Sequence, residues 1–211
     1  MRKISLLIIT LTTFSYAQFR VGLDFGGGVK QSLLGIMTIE QKSKMGLRVG
    51  YEKTLFGMAG VGAEYVMTQV GDAEMTSSAS LFGESASDSE TTSDKMFPNV
   101  LQVYGLARVP LGFPFIRGVV RAGMFVPLGS TDLDGESFKW GDVYDPGLAW
   151  GIGIRAKLPV MPIGAELLYQ SMALDTGSGI DLFGEGDDDE GEMLFPNGDF
   201  TTFTLALTYS F

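Results

Sequence analysis

The sequence has neither cysteine nor histidine among its 211 residues. Without cysteine the chain forms no disulfides and has no thiolate nucleophile or thiolate metal ligand. Without histidine it has no Ser-His-Asp triad, no imidazole base and no histidine-ligated zinc or haem. No interior stretch approaches the length of about 18 apolar residues that a membrane helix needs. These absences exclude the commonest catalytic centres and a helical membrane protein.

Positive charge is also scarce, with 15 basic against 25 acidic side chains and a net charge of −10. This balance argues against nucleic acid as a partner, because such binders carry a basic face. Mean hydropathy is nevertheless +0.19, which is high for an acidic soluble protein. The 29 glycines follow no collagen period. The combination favours membrane strands within a single domain.

The N-terminal segment has the features of an export signal. Two basic residues at positions 2 and 3 precede a short apolar run over residues 4–14. Ser15 and Ala17 then place small side chains before a cleavage site. We therefore predict a cleaved signal peptide over residues 1–17 and a mature domain over residues 18–211.

After residue 18, eight segments alternate apolar and polar side chains, which is the period of a β-strand. In the first segment Phe25 and Val29 fall on the apolar face, and Arg20, Asp24 and Lys30 fall on the polar face. All charged residues of the eight segments keep to the polar face. This alternation is expected of a transmembrane barrel, where one face meets lipid.

The connections between the segments differ in length at the two ends. The short ones lie at residues 53–56, 110–114 and 159–162. The long ones lie at residues 72–97, 128–145 and 175–199. We call these two ends the short-turn rim and the long-loop rim. The pattern predicts an all-β fold, an eight-stranded antiparallel up-and-down transmembrane β-barrel. Ten strands remain possible if residues 31–43 or a long loop hide another hairpin.

The last eight residues, 204–211, alternate up to a terminal phenylalanine. In this respect the chain resembles the small bacterial outer-membrane β-barrel family of the OmpX, OmpW and OmpA-barrel kind. The resemblance implies an outer-membrane location and an assembly signal that the barrel-assembly machinery reads. The residues that match this signal are Leu205, Leu207, Tyr209 and Phe211.

The polar faces predict a charged barrel interior. Its expected members are Asp24, Arg48, Glu52, Glu64, Arg108, Arg117, Arg121, Arg155, Lys157 and Glu166. Because buried charges must be paired, we expect a salt-bridge network that fills the lumen. The alternative is a conducting lumen, since many glycines share the polar face and six basic groups outnumber four acidic ones.

Aromatic residues collect near the segment ends and predict interfacial girdles. Near the short-turn rim these are Phe19, Tyr51, Phe56, Phe113, Phe115, Tyr209 and Phe211. Near the long-loop rim they are Phe97, Trp150, Phe195 and Phe200.

The long loops hold 20 of the 25 acidic residues. An acidic run within them is a weak candidate for divalent cations, because Ca²⁺ takes several oxygen ligands. Its members are Glu185, Asp187, Asp188, Asp189 and Glu190. The sequence does not fit a calcium-binding loop motif, and a solvated acidic loop is the favoured reading. We predict no cofactor.

Three functions follow from these patterns. The first is a monomeric outer-membrane protein with a structural or surface-interaction role, contacting outer-membrane lipid. The second is a narrow channel for small solutes. The third is a soluble exported lipocalin-like barrel, in which the apolar face would line a dry interior. Enzymatic activity is not expected, because the known outer-membrane barrel enzymes use histidine.

Overall fold

The computed structural model describes residues 15–33, 37–55, 57–81, 84–133, 136–158, 160–175 and 198–211. Within these residues the chain forms twelve β-strands and one helical turn. In chain order they are β1 (Ser15–Leu33), β2 (Met37–Leu55), β3 (Ala59–Met67), β4 (Ala73–Leu81), β5 (Glu84–Thr92), β6 (Asn99–Pro110), β7 (Ile116–Leu128), β8 (Ser130–Leu133), β9 (Glu136–Lys139), α1 (Trp140–Val143), β10 (Gly147–Lys157), β11 (Ile163–Leu174) and β12 (Gly198–Ser210). No helix in these ranges has the length and apolar character to cross a membrane.

Eight of the strands close into an antiparallel barrel in the order β1-β2-β3-β6-β7-β10-β11-β12. The seam between β12 and β1 runs from the pair Gln18 and Ser210 to the pair Phe25 and Phe203. Closure leaves no unpaired strand edge around the wall, which is the condition for spanning lipid with strands. The predicted eight-stranded up-and-down barrel is confirmed.

Two additional hairpins extend from the long-loop rim. β4 and β5 pair with each other, and β4 pairs with the end of β2 from Met37 to Ser43. β8 and β9 form a separate two-stranded sheet that leads into α1. The possibility of ten strands is therefore resolved: the β4–β5 hairpin lengthens the sheet above the barrel and adds nothing to the closed wall.

The two faces of the wall have opposite chemistry. On β12, Thr202, Thr204 and Thr208 are buried inside, whereas Leu205 and Leu207 are 53% and 65% exposed on the outside. The same inward-polar and outward-apolar alternation recurs on the other wall strands. A soluble lipocalin-like barrel requires the reverse orientation, which this structure does not have.

A β-bulge at Gly26 corrects the predicted faces of β1. Phe25 is opposite Phe203 while Gly28 is opposite Thr201, so β1 carries one extra residue between these pairs. Gly26 has φ of 62°, a conformation that glycine adopts without strain. Beyond the bulge the faces exchange: Val29 is 2% exposed and points inward, and Lys30 is exposed. The expectation that Val29 shares the outer face of Phe25 is wrong for this reason.

The turns agree with the predicted asymmetry of the two rims. Residues 111–115 join β6 to β7, and residues 158–162 join β10 to β11. The predicted long loops 72–97 and 128–145 contain the two hairpins described above. Most of the third, 175–199, lies outside the described residues. β1 begins at Ser15, inside the predicted signal peptide, and cleavage after Ala17 stays a prediction.

Candidate functional site

The barrel lumen holds a continuous network of ion pairs centred on Glu166 of β11. Arg20 Nε lies 2.9 Å from Oε1 of Glu166, and Arg121 Nη2 lies 2.9 Å from the same oxygen. Arg155 Nε donates to Oε2 at 2.7 Å. One carboxylate therefore joins three guanidinium groups that come from three different strands of the wall.

Towards the long-loop rim the network continues through Glu64 and Arg48. Arg20 Nη1 lies 2.6 Å from Oε2 of Glu64, and Arg48 Nη1 lies 2.7 Å from its Oε1. Arg48 also donates to both carboxylate oxygens of Asp24: its Nε lies 2.6 Å from Oδ1, and its Nη2 bonds Oδ2. The hydroxyl of Thr204 donates to Asp24 Oδ1 at 2.7 Å. A planar guanidinium matches a carboxylate in this bidentate arrangement.

Towards the short-turn rim the network continues through Glu52 of β2. Arg155 Nη1 lies 2.8 Å and Arg108 Nη2 lies 3.2 Å from its Oε2, and Arg121 pairs with its Oε1. The hydroxyl of Tyr104 donates to Glu52 Oε1 at 3.1 Å. The guanidinium carbon of Arg121 also lies 4.8 Å from the centre of the Tyr104 ring.

Five arginines and four carboxylates thus pair inside the barrel, and each is at most 9% exposed. They belong to seven of the eight wall strands, and Thr204 adds the eighth. Isolated charges would be very unfavourable in this position, so each must have partners of opposite sign. The near balance of charge makes the interior a filled polar core, in the manner of small eight-stranded barrels.

The structure brings together eight of the ten charged residues predicted for the lumen. They are Asp24, Arg48, Glu52, Glu64, Arg108, Arg121, Arg155 and Glu166. The structure does not bring Arg117 and Lys157 into the ion-pair network, because both are exposed. Arg117 Nη1 instead donates to the carbonyl of Gly57 at 2.7 Å. Both residues lie at strand ends, where the inward face opens onto the short-turn rim.

Arg20 was absent from the predicted set, although it is fully buried and contacts two carboxylates. Its position on the polar face of β1 was the signal that could have included it. Three neutral side chains also take part, since Arg155 Nη1 donates to Gln18 at 2.8 Å and Gln170 bonds both Arg48 and Gln102.

Above the ion pairs, an aromatic plug closes the lumen at the long-loop rim. We use this name for Phe97, Phe125, Trp140, Tyr144 and Phe200, all at most 1% exposed. The rings of Phe97 and Phe200 lie 5.0 Å apart, and those of Trp140 and Tyr144 lie 5.8 Å apart. Burial raises the pKa of the Tyr144 phenol well above its ordinary value.

The plug corrects part of the predicted girdle at that rim. Phe97 and Phe200 point into the lumen rather than towards lipid. The sequence does not distinguish the two orientations, because an aromatic side chain near a strand end is stable in either environment. Trp150 does lie on the outer face. The centre of its ring is 5.7 Å from that of Tyr169, and the ring centres of Tyr169 and Phe203 are 5.2 Å apart. Phe195 and Phe56 lie outside the described residues.

At the short-turn rim the predicted assembly residues lie on the outer face. Leu205, Leu207, Tyr209 and Phe211 are each at least 51% exposed. The Phe211 ring lies 5.6 Å from that of Phe19 and 6.4 Å from that of Tyr51. These contacts place an aromatic cluster on the outside of the seam, and the role in assembly stays a prediction.

At the short-turn rim the lumen opens into a cavity of about 450 Å³, which lies below the ion pairs. Its wall includes Gln18, Arg108 and Arg155 at the inner end and Arg117 and Lys157 at the rim. Among the described residues, no group of three acidic side chains is arranged to hold a metal ion. The weak cation candidates Glu185, Asp187, Asp188, Asp189 and Glu190 lie outside those ranges.

A closed eight-stranded barrel with an apolar exterior and a paired, charged interior is the fold of a transmembrane β-barrel. No protein-family model matches the chain, and no curated protein matches it. Among solved structures it is similar to Neisserial surface protein A (NspA), with a TM-score of 0.51 and 10% identity over 93% of this chain and 97% of that chain. It also aligns with the translocator domain of autotransporter NalP from Neisseria meningitidis, with a TM-score of 0.27 and 10% identity over 99% and 96% of the two chains. The similarity to NspA supports the fold.

Proposed function

We propose that this chain is an integral outer-membrane protein with a structural or surface-interaction role. The observation that carries the proposal is the orientation of the wall, with charged side chains sealed inside and large apolar side chains outside. Such a surface is stable in lipid and unfavourable in water. The signal peptide predicted over residues 1–17 supports export, and the terminal pattern ending in Phe211 supports assembly in the outer membrane.

The filled lumen favours this role over that of a channel. A solute entering from the short-turn rim meets the paired arginines and glutamates, and beyond them the aromatic plug. Opening a path would require breaking several buried ion pairs, each of which leaves uncompensated charge. With its path blocked, the barrel serves to anchor the structures on the long-loop rim.

The long-loop rim supplies the surface for interaction. The β4–β5 hairpin projects there, and Asp88 and Glu90 on β5 are exposed. Together with the other acidic residues of the long loops, they give this side of the molecule a negative field that would attract cationic partners. We place this rim outside the cell.

The membrane location predicts that the protein is recovered only from outer-membrane fractions and runs differently on denaturing gels before and after boiling. Closed barrels keep their compact shape in detergent until they are heated, because the wall has no free edge from which to unfold. Water-soluble protein that shows no change on boiling would contradict the proposal.

The sealed lumen predicts no discrete current steps when the folded protein is inserted into planar lipid bilayers. A matched comparison is the variant Phe97→Gly/Phe200→Gly, which removes two rings of the aromatic plug and leaves the outer face unchanged. We expect this variant to remain closed as well, because the ion-pair network below still fills the barrel. Regular unitary openings in the unmodified protein would favour the narrow channel instead.

A further inference from the structure

The cavity at the short-turn rim has a strongly one-sided charge. Four basic side chains line it: Arg108, Arg117, Arg155 and Lys157. The hydroxyls of Thr208 and Ser210 lie in the same wall, and no described acidic residue lines it. Its volume of about 450 Å³ lies within the range of about 300–1,000 Å³ that small-molecule pockets occupy.

The basic groups here are not all neutralised by the lumen network. Arg108 is 9% exposed, and its buried Nε has no hydrogen-bond partner among the described residues. Lys157 forms no salt bridge within the described part of the chain. Glu52 pairs with Arg108 and Arg155 of this cavity, but it also pairs with Arg121, so its charge is shared among three guanidinium groups.

The strand register brings two of these cations directly together. Arg117 of β7 is the register partner of Arg155 of β10, so two positive side chains face each other across one ladder position. Like charges in directly opposed positions are destabilising unless a counter-charge lies between them. Arg155 is compensated from the lumen side, whereas the one partner of the Arg117 side chain among the described residues is the carbonyl of Gly57. An anion in the cavity would supply the missing negative charge.

We propose that this cavity binds a small multivalent anion that carries phosphoryl or carboxylate groups. Arg108 and Arg117 offer guanidinium donors whose geometry matches either group, and Lys157 adds a mobile positive charge at the entrance. The hydroxyls of Thr208 and Ser210 provide neutral donors beside them. The ligand enters and leaves through the short-turn rim, because the ion-pair network closes the other end of the cavity.

The test is calorimetric titration of the folded protein in uncharged detergent at low salt, with pyrophosphate and citrate as probes and acetate as the monovalent comparison. The informative variant is Arg117→Gln/Lys157→Gln, because both residues are exposed and lie outside the ion-pair network. The matched control is Lys53→Gln, which removes an exposed lysine on the outer face near the same rim. Gel mobility before and after boiling verifies that each variant is folded.

We expect saturable binding of a multivalent probe and a dissociation constant at least about tenfold higher in the double variant, because the variant removes two charged hydrogen-bond donors from the cavity. The Lys53→Gln control should bind as the unmodified protein does. The stronger of the two probes identifies the ligand as a phosphoryl compound or a polycarboxylate. Equal affinity in the double variant, or no heat with either probe at millimolar concentration, would overturn the site without touching the proposed membrane role.

Discussion

Replacing Glu166 with glutamine is expected to lower the free energy of unfolding by about 3–5 kcal/mol. The substitution keeps the size of the side chain but removes the negative charge that Arg20, Arg121 and Arg155 share. Three buried guanidinium groups then lose a common counter-charge. Urea unfolding in lipid vesicles, followed by tryptophan fluorescence, measures the change.

The matched control is Glu40→Gln, the same chemical exchange in an exposed ion pair. Glu40 Oε1 lies 3.0 Å from Lys42 Nζ, and the two side chains are 35% and 50% exposed. Because exposed pairs contribute about 0–1 kcal/mol, this variant should unfold almost as the unmodified protein does. If Glu166→Gln were equally stable, the network would contribute nothing to the fold.

A double variant separates charge from packing. Glu166→Gln combined with Arg155→Gln removes one charge of each sign from the same contact. Residues in one network do not add independently, so the double variant should be more stable than the sum of the two single losses implies. Simple additivity would show that the two charges are not energetically coupled.

Replacing Ile152 with arginine is expected to destabilise the protein in a bilayer by about 2–4 kcal/mol. Ile152 lies midway along the outward face of β10, is 55% exposed and stands between Tyr169 and Val120 in the register. A guanidinium at this depth is surrounded by hydrocarbon, which offers neither hydrogen bonds nor a counter-charge. The same urea titration in vesicles measures the effect.

The comparison for this variant is the same substitution at a different depth along β10. Leu158→Arg, at the short-turn rim on the same side of the chain, should lose no more than about 1 kcal/mol because the side chain reaches the interface. Ile152→Leu keeps the position apolar and should be nearly neutral. Equal losses at the two depths would show that Ile152 does not face lipid.

The wall of the barrel was predictable because each of its faces tolerates only one kind of side chain. Polar residues must face the interior and apolar residues must face lipid, and this requirement appears in the sequence as an alternation. An arginine such as Arg48 is too unfavourable in lipid to lie outside, and a leucine such as Leu207 is best placed there. The eight alternating segments indicated the number of strands, and the pattern of short and long connections distinguished the two rims. These features let the sequence indicate the barrel, and most of its interior charges, without any matching family.

Other features depend on geometry that the alternation does not record. The extra residue at Gly26 exchanges the faces of β1, yet Val29 is a reasonable residue on either side. The hairpin of β4 and β5 was predicted only as a possibility within a long loop, because its serines and threonines have no hydrophobic period. The exposure of Lys157 depends on where β10 ends relative to the neighbouring strands, and the alternation does not record this position.

The ion-pair network has a consequence for how the barrel assembles. Arg20 on β1 reaches Glu64 on β3 and Glu166 on β11, which lie to either side of the seam. In an unrolled sheet the strands carrying these two carboxylates lie far apart, so the triad exists only after β12 docks on β1. The stabilisation from the complete set of contacts around Arg20 is therefore gained in one step, when the barrel closes. An intermediate in which β12 has not yet docked lacks the contact between Arg20 and Glu166, so we expect that contact to oppose reopening of the barrel along its seam.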